Sequence, residues 1–276
     1  MKMGLRLHDS IKGTLAERLA FAKEQGFECA HLALSKVLPD FQMADAPEKL
    51  ARAEFAGEIR MPFERTGLDL ALLGCYMSLM DRDQEQVERI RKIYDAHIVF
   101  SKQVGAWMVG SETPAGSGST FSKDAATSED ALKLFIERLR PVVRKAEEED
   151  VIFAIEPVFR HVVSTPERAE RVLDAIRSDH LRIIFDAVNL LSPENACRRD
   201  EVIADGLRRL GDRVVLLHMK DYRLEADGSM PAMACGTGEM DYGTLMRFAR
   251  ERDLSMTLEN TKPENAVAAR EFLARS

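Results

Sequence analysis

The amino-acid sequence predicts an α/β fold, a single (β/α)8 TIM barrel, and three observations carry that expectation. Short apolar runs of strand length alternate with longer runs whose apolar residues recur at helical spacing, and eight such pairs follow one another along the chain. The pairs repeat at roughly 25 to 45 residues, the length of a parallel strand with its helical crossover. No GxGxxG follows the first strand, which argues against an open doubly wound sheet built on a dinucleotide fingerprint. A length of 276 residues fits one closed barrel of about 250 residues. No linker, composition break or tandem repeat beyond the unit itself divides the chain, so residues 1–276 are read as one domain.

The elements follow in order. Residues 3–8, MGLRLH, alternate apolar and polar and end at His8-Asp9. Thr14 then opens the amphipathic run LAERLAFAKEQG, closed by Gly26. CAHLAL at 29–34 is the second strand, and its helix is expected over 47–65 with Gly67 marking the end. LDLALLGCY at 68–76 is the third strand. Val87, Ile90, Ile93, Tyr94 and Ile98 place a helix over 84–103. The fourth strand, 107–110, leads into SETPAGSGSTFSKDAATS, too rich in Gly and Ser for regular structure, and long loops of that kind tend to be functional. Residues 129–149 form the next helix, with Pro141 expected to kink it. VIFAIEPV at 151–158 is the fifth strand, and Thr165-Pro166 starts the following helix with a cap residue and Pro at the first position. LRIIFD, VVLLHMKD and LSMTLEN supply the last three strands, with helices over 198–210, after the Gly-rich CGTGEM turn, and over 263–274.

Bulk composition excludes several classes. Hydrophobic residues at 45% and charged residues at 31% describe a globular chain able to bury a core. A net charge of -7 and the absence of a dense Lys/Arg run argue against a nucleic-acid partner. The first residues, MKMGLRLHDSIKG, contain no sustained apolar segment, and no run approaches the roughly 20 residues that span a bilayer, so no membrane role is expected. Cys29, Cys75, Cys197 and Cys235 show no CxxC spacing, which predicts reduced thiols and a cytoplasmic protein. Homo-oligomer order is left open by these features.

The chemistry is signalled first in the fifth strand, where five apolar residues run into Glu156 and are stopped by Pro157. Burying an unpaired carboxylate costs several kcal/mol, so a strand that ends this way usually delivers its charge to a partner. In a (β/α)8 barrel the C-terminal strand ends share one face, and that face holds the active site. Asp186 ends the sixth strand, His218 stands at the end of the seventh and Glu259 ends the eighth. Each alone could be a helix cap, an ion-pair partner or a satisfied histidine. Together, three carboxylates crowd one imidazole, and like charges at that density are tolerated when a cation sits among them. One divalent metal ion resolves the conflict. Three oxygens and one nitrogen suit manganese, magnesium or cobalt and permit zinc or iron.

The segments IEPV, IIFDAVNLL, LLHMKD, GTGEMDYGTLM and LEN, with VGSETP after the fourth strand, resemble the xylose isomerase-like superfamily of sugar isomerases and epimerases. The resemblance covers most of the chain and is strongest over 104–260. It implies that the positions matching Glu156, Asp186, His218 and Glu259 hold one divalent metal, most often manganese in the related ketose 3-epimerases. It also implies that Glu156 and Glu259 flank a small carbohydrate or polyol substrate as proton donor and acceptor. The physical logic agrees: a metal on a carbonyl and adjacent hydroxyl stabilises the enediolate formed when the neighbouring proton leaves, and carboxylates remove and return that proton.

Two departures qualify the resemblance. Asn189 stands where the ketose 3-epimerases have a His, and Arg223 is only an approximate counterpart of their Arg after the strand-seven His. Further substrate-binding candidates are His8 at the end of the first strand, Glu112 in the Gly/Ser loop, Arg160 after Glu156, and Lys220, which either grips a substrate oxyanion or pairs with Asp221. His8 reads equally as a helix-cap residue, and Arg160 as half of a solvated loop pair. His31, His97 and His180 are assigned no role, and Phe41 and Trp107 are read as packing residues. GTGEMDYG reads as a phosphate loop or as a turn before a helix, and a non-phosphorylated sugar is favoured. The competing functions are a lyase acting on a keto-polyol or a dehydroshikimate-like acid, a non-catalytic binding subunit, and the apurinic endonuclease branch of the same superfamily.

Overall fold

Successive side chains of a strand face opposite sides of its sheet, and in this chain that alternation separates two apolar layers. In the fifth strand, Phe153 and Ile155 join the large core that lies against the helices. Ala154 between them belongs instead to a separate cluster with Cys29, Ala71, Leu72, Met108, Ile184 and Leu216, which fills the interior of a closed barrel. The computed structural model describes residues 1–115 and 125–276. Its barrel strands are β1 (Met3–Arg6), β2 (Cys29–Ala33), β3 (Asp69–Gly74) and β4 (Met108–Glu112). They continue as β5 (Ile152–Glu156), β6 (Leu181–Asp186), β7 (Val214–Met219) and β8 (Met256–Leu258). Neighbours run parallel in chain order, and β8 closes on β1 with Gly4 opposite Thr257.

The principal helices are α1 (Leu15–Glu24), α2 (Ala53–Thr66), α3 (Gln84–Val104) and α4 (Glu129–Glu149). After them come α5 (Pro166–Ile176), α6 (Arg199–Leu210), α7 (Gly243–Glu251) and α8 (Ala266–Arg275). Local chemistry sets their starts. Thr14 and Glu17 form a capping box at α1, and Thr165 accepts from the Arg168 backbone with Pro166 at the first position of α5. The helix expected over 47–65 is divided: a turn at Ala46–Lys49 precedes α2, and the break falls at Arg52, whose backbone is extended. Buried Ala46 and Leu50 pack on one side of that break and Ala56 and Ile59 on the other. Pro141 lies inside an unbroken α4. Of the Gly/Ser loop, residues 116–124 lie outside the described residues. Among the described residues no helix is long and apolar enough to cross a membrane.

Two details aim the strand ends. The register slips by one residue between Ala30 and His31 against β3, and between Ile183 and Ile184 against β7. Such irregularities re-aim side chains near sites. Gly110 keeps the interior passable, because a Cβ there would come within 2.6 Å of Leu72 and Ile184.

After β7 the chain forms a small antiparallel pair, Asp221–Tyr222 with Ala232–Met233, that the sequence reading did not anticipate. Asp221 is buried here and accepts from the backbone N–H groups of Tyr222, Gly236, Gly238 and Met240. The Gly-rich turn is therefore an anion nest already filled by the protein's own carboxylate. Gly238 is required by this close approach, since a Cβ would meet Asp221 Oδ1 at 2.5 Å. Replacing Asp221 with alanine strands these donors and is expected to destabilise the fold by about 3 kcal/mol. In a chain of this size that is a fall of roughly 5 to 10 °C in Tm, readable by differential scanning calorimetry.

Candidate metal centre

The inward-facing rows of the barrel carry their polar residues at the C-terminal end. Ala154 leads to Glu156, Ile184 to Asp186, Leu216 to His218 and buried Thr257 to Glu259, each two residues further along its strand and so on the same face. All four polar residues are buried. His218 Nδ1 lies 3.1 Å from Glu156 Oε2 and 3.1 Å from Glu259 Oε1. Lys220, also buried, places Nζ 2.8 Å from Asp186 Oδ2 and 3.5 Å from Glu259 Oε2. The partner of Lys220 is thus not Asp221, which faces the other side of the chain toward the Gly-rich turn. Asn189, on the short helical turn after β6, donates from Nδ2 to Glu156 Oε1 at 2.6 Å, and its backbone N–H donates to Asp186 Oδ1 at 3.0 Å.

Three residues that sequence reasoning left out, Arg6, His31 and Tyr76, join this cluster. Arg6, at the end of β1, reaches Glu259 Oε2 at 2.8 Å while its Nε donates to Asp9 Oδ2 at 2.7 Å. Asp9 in turn accepts the Asn260 N–H, which ties the first and last strand ends together. His31, fully buried on β2, stacks on His218 with ring centroids 5.4 Å apart, and its Nε2 lies 2.8 Å from the Tyr76 hydroxyl. The signal for His31 was a lone polar residue within the apolar CAHLA strand, on the inward row of Cys29. Arg6 carried a weaker one, as a charge at the end of an alternating strand.

The other candidates fall into two groups. His8 packs edge-on against His31 at 5.9 Å, and Glu112 is the register partner of Glu156. Both border the cluster. Arg160 and Arg223 are exposed and engaged elsewhere, Arg160 with Glu194 at 3.4 Å and Arg223 with the Thr237 carbonyl at 2.8 Å. The structure does not bring these two arginines to the carboxylates.

Electrostatics follow from burial and from the mixture of signs. Burial opposes charge on His218, but Glu259 and Glu156 outweigh it and hold its pKa up at about 9. Burial alone would raise Glu259, yet His218, Lys220 and Arg6 keep its carboxyl well below the usual range. Asp186 is raised by burial, with Lys220 pulling the other way. Burial and the Glu156 charge push Glu112 up to about 7, although the residue is open to solvent and water there screens the repulsion. Burial and Arg6 bring His8 down to about 4.

The donor set fits a divalent cation. Both ring nitrogens of His218 and the Nδ1 of His31 are buried without a hydrogen-bond partner, so the short approaches of Glu156 and Glu259 do not lie along a ring N–H. Orphaned buried polar atoms of this kind call for an explanation. The ligand atoms of Glu156, Asp186 and His218 lie within 4.8 Å of one another, as do those of His31, His218 and Glu259. Imidazole nitrogens and carboxylates at that separation are what zinc, manganese or cobalt requires.

A protein-family model described as xylose isomerase-like TIM barrel matches residues 19–276. The chain belongs to this family. No curated protein sequence matches this xylose isomerase-like chain. Solved structures do, at low identity and over nearly the whole length. The IOLI protein, solved with a zinc atom bound, superposes with a TM-score of 0.73 at 16% identity, covering 100% of this chain and 96% of that one. The 3-keto-D-glucoside 4-epimerase YcjR from E. coli gives 0.73 at 17% identity, covering 100% of both chains. The probable 3-DHS dehydratase AsbF from Bacillus anthracis gives 0.73 at 13% identity, covering 99% and 98%. At these identities the likeness shows the fold, and the solved structures that share it include epimerases, a probable dehydratase and an endonuclease.

Proposed function

We propose that this xylose isomerase-like barrel is a divalent-metal-dependent sugar isomerase or epimerase that moves a proton next to a carbonyl through an enediolate. Glu156, Asp186, His218 and Glu259 are its metal ligands, and Glu156 and Glu259 its acid/base pair. One observation carries the reading: two carboxylates from well-separated strands, Glu156 and Glu259, each stand 3.1 Å from the same imidazole nitrogen. A divalent ion bound there would polarise the substrate carbonyl and lower the energy of the enediolate.

The chain's own residues divide the remaining work. Asn189 occupies Glu156 Oε1 and leaves Oε2 turned toward His218, so Glu156 is held in place by a neutral donor. Glu259 is held by the cations Arg6 and Lys220 through Oε2, which fixes the orientation of its carboxylate. Lys220 and Asn189, which bond the carboxylates, and His8 and Glu112, which border them, are the residues assigned to substrate hydroxyls. A non-phosphorylated substrate is supported by Asp221, which fills the Gly-rich nest that would otherwise receive a phosphate.

A second reading shares the first step. Proton removal followed by loss of a β-hydroxide gives water elimination from a keto-polyol or a dehydroshikimate-like acid. AsbF, a probable 3-DHS dehydratase, superposes as well as the epimerase does, which supports keeping it. The metal-loaded protein screened in D2O against ketoses, inososes and keto acids separates them: deuterium in recovered sugar is expected for an isomerase or epimerase, and water loss for a lyase. Failure of every substrate to exchange or react would refute both.

A further inference from the structure

His31 is an imidazole in an unusual position. It is fully buried among the inward-facing residues, yet its Nδ1 has no hydrogen-bond partner. Nε2 is held by the Tyr76 hydroxyl at 2.8 Å, and when Nε2–H donates to that oxygen, Nδ1 presents a bare lone pair. Nδ1 lies 3.9 Å from Glu259 Oε1, beside a His218 ring that lies parallel at 10°. Leaving a buried acceptor unsatisfied in this way costs on the order of 1 to 3 kcal/mol unless a ligand uses it.

We propose that His31 is a further ligand of the metal centre, so that the ion is held by two imidazoles, and that the centre therefore selects zinc or cobalt over magnesium and manganese. The inference rests on the reading that the cluster binds a divalent ion. Glu259 Oε1 and His218 Nδ1, 3.1 Å apart, form a common edge, with Glu156 Oε2 3.1 Å from the imidazole end and His31 Nδ1 3.9 Å from the carboxylate end. Donors each about 2.1 Å from one ion stand about 3 Å apart at a right angle and about 4.2 Å apart when opposite; these three separations fall between the two limits, and the two donor triads, His31–His218–Glu259 and Glu156–Asp186–His218, share His218. The Tyr76 contact is the outer support that ligating histidines ordinarily have, fixing ring orientation and tautomer. A second imidazole shifts the site away from the all-oxygen preference of magnesium and toward zinc, cobalt or nickel. Manganese, expected from the sequence resemblance, becomes the weaker guest.

The test uses the metal-stripped full-length chain titrated with Co2+, Zn2+ and Mg2+, with imidazoles counted by x-ray absorption of the Co2+ form. The wild type is expected to show two imidazoles and His31→Ala one, with Zn2+ affinity at least about tenfold lower in the variant. Mg2+ affinity should change less, narrowing the preference for zinc. Tyr76→Phe keeps the ring volume and so guards against misfolding; it should retain both imidazoles and bind Zn2+ up to about tenfold more weakly. A single imidazole in the wild type, or unaltered Zn2+ affinity in His31→Ala, would overturn the proposal. If two imidazoles are found but no substrate exchanges deuterium, the isomerase reading fails while this one stands. If Glu156→Gln abolishes Zn2+ binding while His31→Ala leaves its affinity unaltered, this one alone fails.

Discussion

Glu156→Gln is expected to reduce metal-dependent proton exchange into substrate by about a thousandfold, the range in which loss of a general base falls. The variant is a clean probe because the glutamine side-chain oxygen can still accept from Asn189 Nδ2, which bonds Glu156 Oε1 at 2.6 Å, so the loop after β6 keeps its anchor. What disappears is the charge on the oxygen that faces His218 Nδ1. Loss of that charge also removes a ligand, so bound zinc or cobalt measured by elemental analysis should fall together with exchange. Glu112→Gln, next to Glu156 in the register but open to solvent, should leave the metal content unchanged. Equal exchange in wild type and Glu156→Gln would remove Glu156 from the chemistry.

The second large effect is on pH dependence. In the metal-free chain the folded state holds the His218 proton up to a pKa of about 9, against an ordinary value of 6.5. A group whose folded pKa is raised stabilises the fold fully below its unfolded value and loses that contribution as pH climbs through the folded one. Stability of the metal-free protein should therefore fall between pH 7 and 9 by on the order of 2 kcal/mol. His8, held near 4, titrates below this window and does not disturb it. A metal requires neutral imidazole, so its binding expels the same proton. Apparent zinc affinity should then rise by nearly tenfold per pH unit from 7 toward 9. Denaturant unfolding of stripped and loaded protein at both pH values, with calorimetric counting of released protons, measures each part. A metal-free protein equally stable at pH 7 and 9 would show that the carboxylates do not hold His218 protonated.

Much of the barrel was legible because its strands are buried on both faces and read as continuous apolar runs, punctuated by Gly, Pro and capping residues. Thr14, Thr165-Pro166 and Gly67 each mark a helix boundary that the structure keeps within a residue or two. The Gly-rich turn and the division at Arg52 were not legible in the same way. The first depends on Asp221 meeting N–H groups up to 19 residues away, and the second on which of several apolar residues find the core. Similarly, Lys220 stands beside Asp221 in sequence, but strand alternation sends the two to opposite sides, one to Asp186 and the other to the turn.

What the sequence by itself determined is the eight-fold alternation and the delivery of Glu156, Asp186, His218 and Glu259 to one end of it. Strand periodicity and the parallel direction of every barrel strand require that much. What only the tertiary structure decided is the company they keep. Closure of β8 on β1 brings Arg6 to Glu259 across nearly the full length of the chain. The register slip at β2 and β3 goes with an inward-facing His31 stacked on His218, while Arg160 and Arg223 remain on the exposed surface. These contacts join residues far apart in the chain, so no local pattern encodes them, and the second imidazole at the centre comes from that closure.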